Sequence, residues 1–242
     1  MLEGILIGAD QQAEHLLPWW WSYYSRYNQR PVALVDFGMS QQGKDWCQNR
    51  AQVITMPEIQ FVKAPEEIDP HLAKTWKKRY GGPLWQSRQA WFKKPLACLL
   101  TPFDRTLWLD LDCEVCGSLD PLFMEWDDSI DLSIVREDLR LAKQAILFNS
   151  GVMLFRKGSP FLQAWHELCQ KQNNVMMGDQ DVLTSLLLEG AVAFKELSPL
   201  YNWPMCGGVT PGILIAHWVS GWGKEYIQRF GGLHTLLESV QY

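Results

Sequence analysis

Apolar and polar positions alternate in a regular rhythm along the first third of the chain. Gly4 to Ala9 is a short apolar run that stops at Asp10. Ala13 to Tyr27 mixes aromatic and polar residues over a helical length, with Pro18 marking a kink or a restart. Pro31 to Val35 is a second apolar run, ending at Asp36-Phe37-Gly38, and Ala51 to Met56 is a candidate third strand. Strand, helix, strand at this spacing predicts a parallel sheet with right-handed crossovers.

Met56 to Gly82 holds several prolines and the pair Gly81-Gly82, so it reads as a loop with a helix near Leu72 to Arg79. Trp85 to Leu100 is a helix interrupted by Pro95. Arg105 to Leu109 is an apolar strand that runs straight into Asp110-Leu111-Asp112. Ile130 to Val135 and Gly151 to Phe155 read as further strands, the second entered from Asn149-Ser150. Phe161 to Gln172 has helical periodicity. Val182 to Leu188 reads as a helix with Asp179 and Asp181 at its start, where a helix N-terminus favours acids. Ala191 to Leu197 and Ile213 to Ala216 are late strands, and Lys224 to Val240 is a closing helix broken at Gly231-Gly232. The expected fold class is α/β: one Rossmann-like domain over residues 1–242, with a mostly parallel central sheet flanked by helices.

Composition narrows the function classes. The net charge of -5 argues against a nucleic-acid partner, which calls for a basic face. It leaves room for an anionic nucleotide, because a divalent cation can screen phosphates locally. No apolar run approaches the roughly 18 residues that span a bilayer, and the N-terminus lacks a signal-peptide pattern. A cytoplasmic location is therefore expected. The six cysteines are scattered through apolar runs and are expected as buried free thiols. There are 13 tryptophans, and Trp19, Trp20 and Trp21 are consecutive. One helix face cannot bury all three, so part of the cluster faces another element, a partner or a membrane surface.

The candidate chemistry centres on Asp110-Leu111-Asp112. Ligand crevices in open α/β sheets lie at the carboxyl ends of strands. Two carboxylates there are costly unless compensated, and Mg²⁺ or Mn²⁺ compensates them well. The competing account is a polar loop after a strand. His217, at the end of the strand from Ile213, could complete a carboxylate-rich Mn²⁺ site or be an ordinary core histidine. Lys224 follows after Gly221 and Gly223 and could bind phosphate as a point charge, or be solvated. Asn149-Ser150-Gly151 supplies small polar groups and a closely approachable backbone, or simply a turn. Asp179-Gln180-Asp181 is either helix capping or part of a site. Cys113-Glu114-Val115-Cys116 has redox or zinc spacing, but with a single pair the preferred account is two half-buried strand cysteines.

Taken in order, these features resemble the nucleotide-sugar-dependent glycosyltransferases of the GT-A fold, most nearly the retaining family 8 with its glycogenin- and galactosyltransferase-like members. The resemblance covers most of the chain. It rests on Ala9-Asp10, Asp36-Phe37-Gly38-Met39-Ser40, Lys93-Lys94-Pro95, Thr101-Pro102-Phe103 and Thr106 to Asp112. It continues through Phe148 to Met153, Gly178 to Leu183, Tyr201-Asn202-Trp203, and His217 with Gly221 and Lys224. In the family's last motif Gly and Lys come three and six residues after the His. Here they come four and seven after, and Glu225-Tyr226 stands where a Pro-Trp is usual.

The resemblance implies a UDP-sugar donor and a Mn²⁺ (or Mg²⁺) cofactor held by Asp110, Asp112 and His217. Ala9, Asp10, Lys94, Asp110, Asn149 and Lys224 would contact the donor. Asp179 and Gln180 would stand beside the sugar ring, in a reaction that retains anomeric configuration. The acceptor is open between a glycan, a lipid-linked molecule and a protein, with the loop from Met56 to Gly82 as a candidate acceptor region. Trp19 to Trp21 offer a peripheral membrane contact as the alternative to core packing. Rival readings are an inverting transferase with Asp179 or Asp181 as base, a nucleotidyltransferase, and a non-catalytic sugar- or partner-binding module. The nucleotidyltransferase would need a glycine- and basic-rich loop after the first strand, and Gly8-Ala9-Asp10-Gln11-Gln12 lacks one.

Overall fold

The computed structural model describes residues 1–81, 83–137 and 148–233. The central sheet follows from the apolar runs. β1 (Glu3–Ala9), β2 (Val32–Asp36), β3 (Gln52–Thr55) and β4 (Arg105–Leu109) pair in parallel, in the spatial order β3-β2-β1-β4. β5 (Cys113–Val115) belongs to a second sheet. β6 (Leu132–Arg136), β7 (Phe148–Arg156) and β8 (Phe194–Leu197) extend the first, giving seven strands in the order β3-β2-β1-β4-β7-β6-β8. Only β7 runs against its neighbours, pairing antiparallel with β4 and β6. β7 therefore brings its beginning, Phe148 to Ser150, to the edge where β1, β4 and β6 end. The second sheet holds β5, β9 (Trp203–Pro204) and β10 (Ile215–His217), with β10 in the middle.

The helices are α1 (Leu17–Tyr27), α2 (Gln41–Cys47), α3 (Pro70–Tyr80), α4 (Leu84–Leu99), α5 (Asp120–Met124), α6 (Pro160–Gln172), α7 (Asp179–Leu188) and α8 (Ser220–Phe230). Side-chain alternation along the strands splits the interior in two. Ile5, Ile7, Leu107 and Leu109 face a core shared with α1 and the small sheet. Leu6, Ala33, Trp108 and Met153 face the opposite core, which also takes in Phe92 of α4, Leu162 of α6 and Val182 of α7. Strands buried on both sides read as continuous apolar runs, which is why they were legible.

Several boundaries differ from expectation for identifiable reasons. Pro18 marks the restart rather than the kink: it sits in the first turn of α1, where its missing N–H costs nothing, after a separate 3-10 turn at Glu14–Leu16. α4 passes through Pro95 without interruption. Phe92, Ala97 and Cys98 bury on either side of it, and this packing outweighs one lost backbone bond. α3 starts two residues early because the Asp69 carboxylate accepts from the amides of His71 and Leu72. α8 ends at Gly231, whose φ of 81° suits a left-handed cap. The expected continuation to Val240, and Gly82, lie outside the described residues.

The tryptophan triplet divides among three contacts within the protein. Trp20 is fully buried and stacks on Tyr24 at 5.0 Å. Trp19 donates from Nε1 to the Gly231 carbonyl at 2.8 Å. Trp21 packs edge-on against Trp46 at 6.4 Å. The core-packing account covers all three, so they give a membrane contact no support. No helix among the described residues is long and apolar enough to cross a membrane. All six cysteines are free; Cys47, Cys98, Cys113 and Cys169 are buried, Cys116 is half-buried and Cys206 is exposed.

Candidate active site

The ligand edge of the central sheet collects the polar residues that the sequence scattered. β4 ends at Leu109, and the chain turns at once: the Cys113 amide donates to the Asp110 carbonyl at 3.0 Å. This turn, rather than strand alternation, sets where the two aspartates point. Asp110 faces the central sheet. Its Oδ1 accepts from Trp108 Nε1 at 2.7 Å and lies 2.9 Å from Lys94 Nζ. Lys94 comes from α4, is buried, and also donates to the Ser150 carbonyl at 3.2 Å and Ser150 Oγ at 3.1 Å. Ser150 Oγ in turn donates to Asp179 Oδ2 at 2.9 Å, which stands 3.7 Å from Lys94 Nζ. Burial pushes the Asp179 carboxyl up from its ordinary value, with Lys94 opposing and Asp110 adding to the rise. Burial works against the Lys94 charge, but Asp110 and Asp179 overcome it and raise the ammonium above its ordinary range.

Asp112 faces the small sheet. Its Oδ1 lies 3.3 Å from His217 Nε2, and its Oδ2 lies 3.1 Å from Lys224 Nζ at the start of α8. Burial alone would raise this carboxyl; Lys224 and His217 reverse that and hold it well below the usual carboxylate range. His217 is oriented from behind. Its Nδ1 is 2.7 Å from Asn202 Oδ1, while Asn202 Nδ2 donates to Asn149 Oδ1 at 2.9 Å. With the Asn202 amide assigned this way, His217 donates from Nδ1 to Asn202 Oδ1, and Nε2 is the ring nitrogen turned to Asp112. Asn149 Oδ1 also accepts from the Gly151 amide at 2.9 Å. A Cβ on Gly151 would fall 2.9 Å from His217 Nδ1 and collide with the ring, so glycine is required for His217 to sit here.

The donor set suits a hard or borderline divalent cation: a buried, ionised carboxylate and an imidazole fixed through its other nitrogen. Ligand atoms of Asp112, Cys113 and His217 lie within 4.8 Å of one another, the one such group among the described residues. Burial pushes the Cys113 thiol well up, and its Sγ lies 3.8 Å from the Gly151 carbonyl. Asp112 and His217 are the harder donors of the three and the pair that suits Mn²⁺ or Mg²⁺, whereas a thiolate suits softer metals. Asp110 stands outside this group, committed to Lys94 and Trp108.

The remaining expected residues lie along the same edge. Ala9 is buried and its carbonyl accepts from the Phe37 amide at 2.8 Å. Asp10 closes β1; its Oδ1 accepts from Gln12 and Ala13 amides at 3.0 and 2.9 Å, a local turn cap. Gln180 Oε1 accepts from the Ser150 amide at 3.1 Å. Its Nε2 donates to Glu137 Oε2 at 2.9 Å. Glu137 was not anticipated. It follows β6 as Asp110 follows β4, and that strand-end position was the available signal. Burial raises its carboxyl above the ordinary value, against the pull of His217 and Arg79. Asp181 caps its own helix, accepting from the Gly178 amide at 2.9 Å.

Solved structures share this architecture. GlyE of Streptococcus pneumoniae TIGR4, a glycosyltransferase, matches with a TM-score of 0.62 at 19% identity, over 90% of this chain and 55% of that one. The fold is the GT-A glycosyltransferase fold. Mouse xyloside xylosyltransferase 1 matches with a TM-score of 0.55 at 18% identity, over 89% of this chain and 97% of that one. The galactosyltransferase LgtC, solved with donor and acceptor sugar analogs, matches with a TM-score of 0.54 at 15% identity and 94% coverage of both chains. At these identities the likeness establishes the fold alone. No family model matches the chain, and no protein of curated function matches its sequence. The chain spans 55% of the length of GlyE.

Proposed function

We propose that this chain is a glycosyltransferase, of the family 8 type, moving a hexose from a UDP-sugar to an acceptor hydroxyl with Mn²⁺, or Mg²⁺, held at Asp112 and His217. The observation that carries the reading is the ladder Asn149–Asn202–His217, which aims Nε2 at an ionised, buried carboxylate. When bound, the cation supplies charge neutralisation for the departing diphosphate. Lys224, on a half-exposed side chain beside Asp112, turns its ammonium to the phosphates. Asp110, oriented by Lys94 and Trp108, meets the ribose side of the donor, and the β1 tip at Ala9-Asp10 meets the nucleoside. Asp179 fixes sugar hydroxyls from its place beside Ser150. Gln180, held between the Ser150 amide and Glu137, lies against the ring as a neutral hydrogen-bonding group. Its inability to act as a base fits a route that retains configuration, with the acceptor entering on the leaving-group side. The inverting rival loses ground because Asp179 is committed to Ser150 and Asp181 to the Gly178 amide.

Asp112→Asn tests the cation site with almost no change of shape. Calorimetry should show Mn²⁺-dependent UDP binding in the wild type and none in the variant. Transfer or slow donor hydrolysis at the wild-type rate in the variant would sink the assignment. The anomer of the product, read by NMR, decides stereochemistry; an inverted product rejects the role given to Gln180.

A further inference from the structure

α3 carries an unusual charge pattern for an acidic chain. Between Pro70 and Tyr80 it has Lys74, Lys77, Lys78 and Arg79 and no acid at all, in a protein of net charge -5. Buried Trp76 and half-buried Leu72, Ala73 and Tyr80 form the apolar stripe of this helix, packed with Leu84, Trp85 and Met177. The basic side chains are left on the exposed face. Among the described residues, no carboxylate lies within ion-pair distance of Lys74, Lys77 or Lys78. The helix dipole rewards cations in the last turn, which accounts for part of Lys77, Lys78 and Arg79 but not for Lys74 or for the missing acids.

The basic face ends at the active site. The Tyr80 ring meets Trp91 edge-on at 4.8 Å. Trp91 lies 3.2 Å from where a Cβ on Gly178 would stand, and Gly178 opens the helix that starts with Asp179-Gln180. One aromatic layer thus separates the end of α3 from the sugar-facing residues. The field of Arg79 also reaches Glu137 and Asp181.

We propose that the exposed face of α3 binds the anionic part of the acceptor, so that the acceptor is a molecule carrying a phosphate or diphosphate group. This rests on the glycosyltransferase reading above and deepens it. Lysines at successive turns, with no ion-pair partner among the described residues, form a row of point charges suited to phosphate oxygens rather than to a neutral glycan. The acceptor's reactive hydroxyl would then reach past Tyr80 towards Gln180.

The test uses decyl diphosphate as the probe, in EDTA, so that no cation can hold it at Asp112. Binding is read by tryptophan fluorescence and calorimetry for the wild type and for a K74E/K77E/K78E variant. The wild type should bind the probe, and raising NaCl should weaken binding. The triple variant should bind roughly tenfold or more weakly. Decanol should bind neither. Equal binding of the probe by the two proteins, or equal binding of decanol, overturns the proposal. So does binding to vesicles of phosphatidylglycerol with no binding of the soluble diphosphate, since that would make α3 a membrane-surface helix. The triple variant should keep its Mn²⁺-dependent UDP affinity. Failure of UDP to bind the wild type would reject the glycosyltransferase reading while the EDTA experiment still decided what α3 binds.

Discussion

Asp110 and Asp112 are two residues apart and sit in different electrostatic surroundings. Asp110 belongs to a closed group, where Lys94 is 6% exposed in its side chain and Asp179 is 4% exposed. Lys94 and Trp108 hold Asp110, whose own side chain is 26% exposed, and Ser150 ties Asp179 to the lysine. Asp112 is more buried than Asp110, at 8%, but its lysine is not buried: the Lys224 side chain is 38% exposed and comes from the first half of a surface helix. The first group has a permanent cation locked in place. The second has one on a side chain that reaches solvent. Under the proposed function, Lys94 would set geometry while Asp112 and His217 would take up a metal.

The largest expected effect comes from breaking the closed group. Lys94→Met leaves Asp179 buried, and Asp110 partly buried, without their cation, and stranding a buried charge typically costs about 3–5 kcal/mol. Urea unfolding should show that loss. Adding Asp179→Asn should restore part of it, because one of the stranded charges is gone. If Lys94→Met unfolds at the wild-type urea concentration, the group is not the fixed electrostatic core described here.

Next is Gly151→Ala, which acts on the other half through the backbone of β7. The new Cβ meets the His217 ring and lies 2.9 Å from Asn149 Oδ1. The strain should cost about 1–3 kcal/mol of stability. Displacing His217 should also weaken Mn²⁺ by roughly 10- to 100-fold, as loss of an orienting contact does. Equilibrium dialysis of Mn²⁺ reads the second effect. Stability loss with unchanged Mn²⁺ affinity would remove His217 from the ligand pair.

This asymmetry between the two aspartates was not legible in the sequence. The sequence groups Asp110 with Asp112 as two carboxylates at one strand end, sharing one cation. The strand has already ended at Leu109, and the turn from Asp110 to Cys113 rotates the two carboxylates to different neighbours. The strands themselves were legible because double-sided burial writes long apolar runs, as in Ile5 to Ile7 and Leu107 to Leu109. α2 was missed because Gln41 to Cys47 buries only Gly43 and Cys47 and leaves no apolar stripe to find. Glu137 was missed because an acid beside Arg136 looks solvated, and only the three-dimensional edge brings it to Gln180.

The smallest expected effect isolates the exchangeable cation. In Lys224→Met, Asp112 keeps His217 but loses the lysine that helps hold its carboxyl low, so its folded-state pKa rises. A carboxyl with a depressed folded value adds stability above its unfolded value, and loses it as pH falls through the folded value. The wild type should therefore be the more stable protein at neutral pH, by about 1 kcal/mol or less, since water already solvates a half-exposed lysine. That gap should narrow as pH falls through the variant's higher Asp112 value. Urea midpoints at pH 7, 5 and 3.5 measure it. The same variant sharpens the contrast with Lys94. If Lys224 only holds the place of a metal ion, Mn²⁺ should bind Lys224→Met at least as tightly as the wild type, while UDP binds less well for want of a phosphate contact. Weaker Mn²⁺ binding would mean that Lys224 helps build the metal site, and the two halves would then work by the same principle.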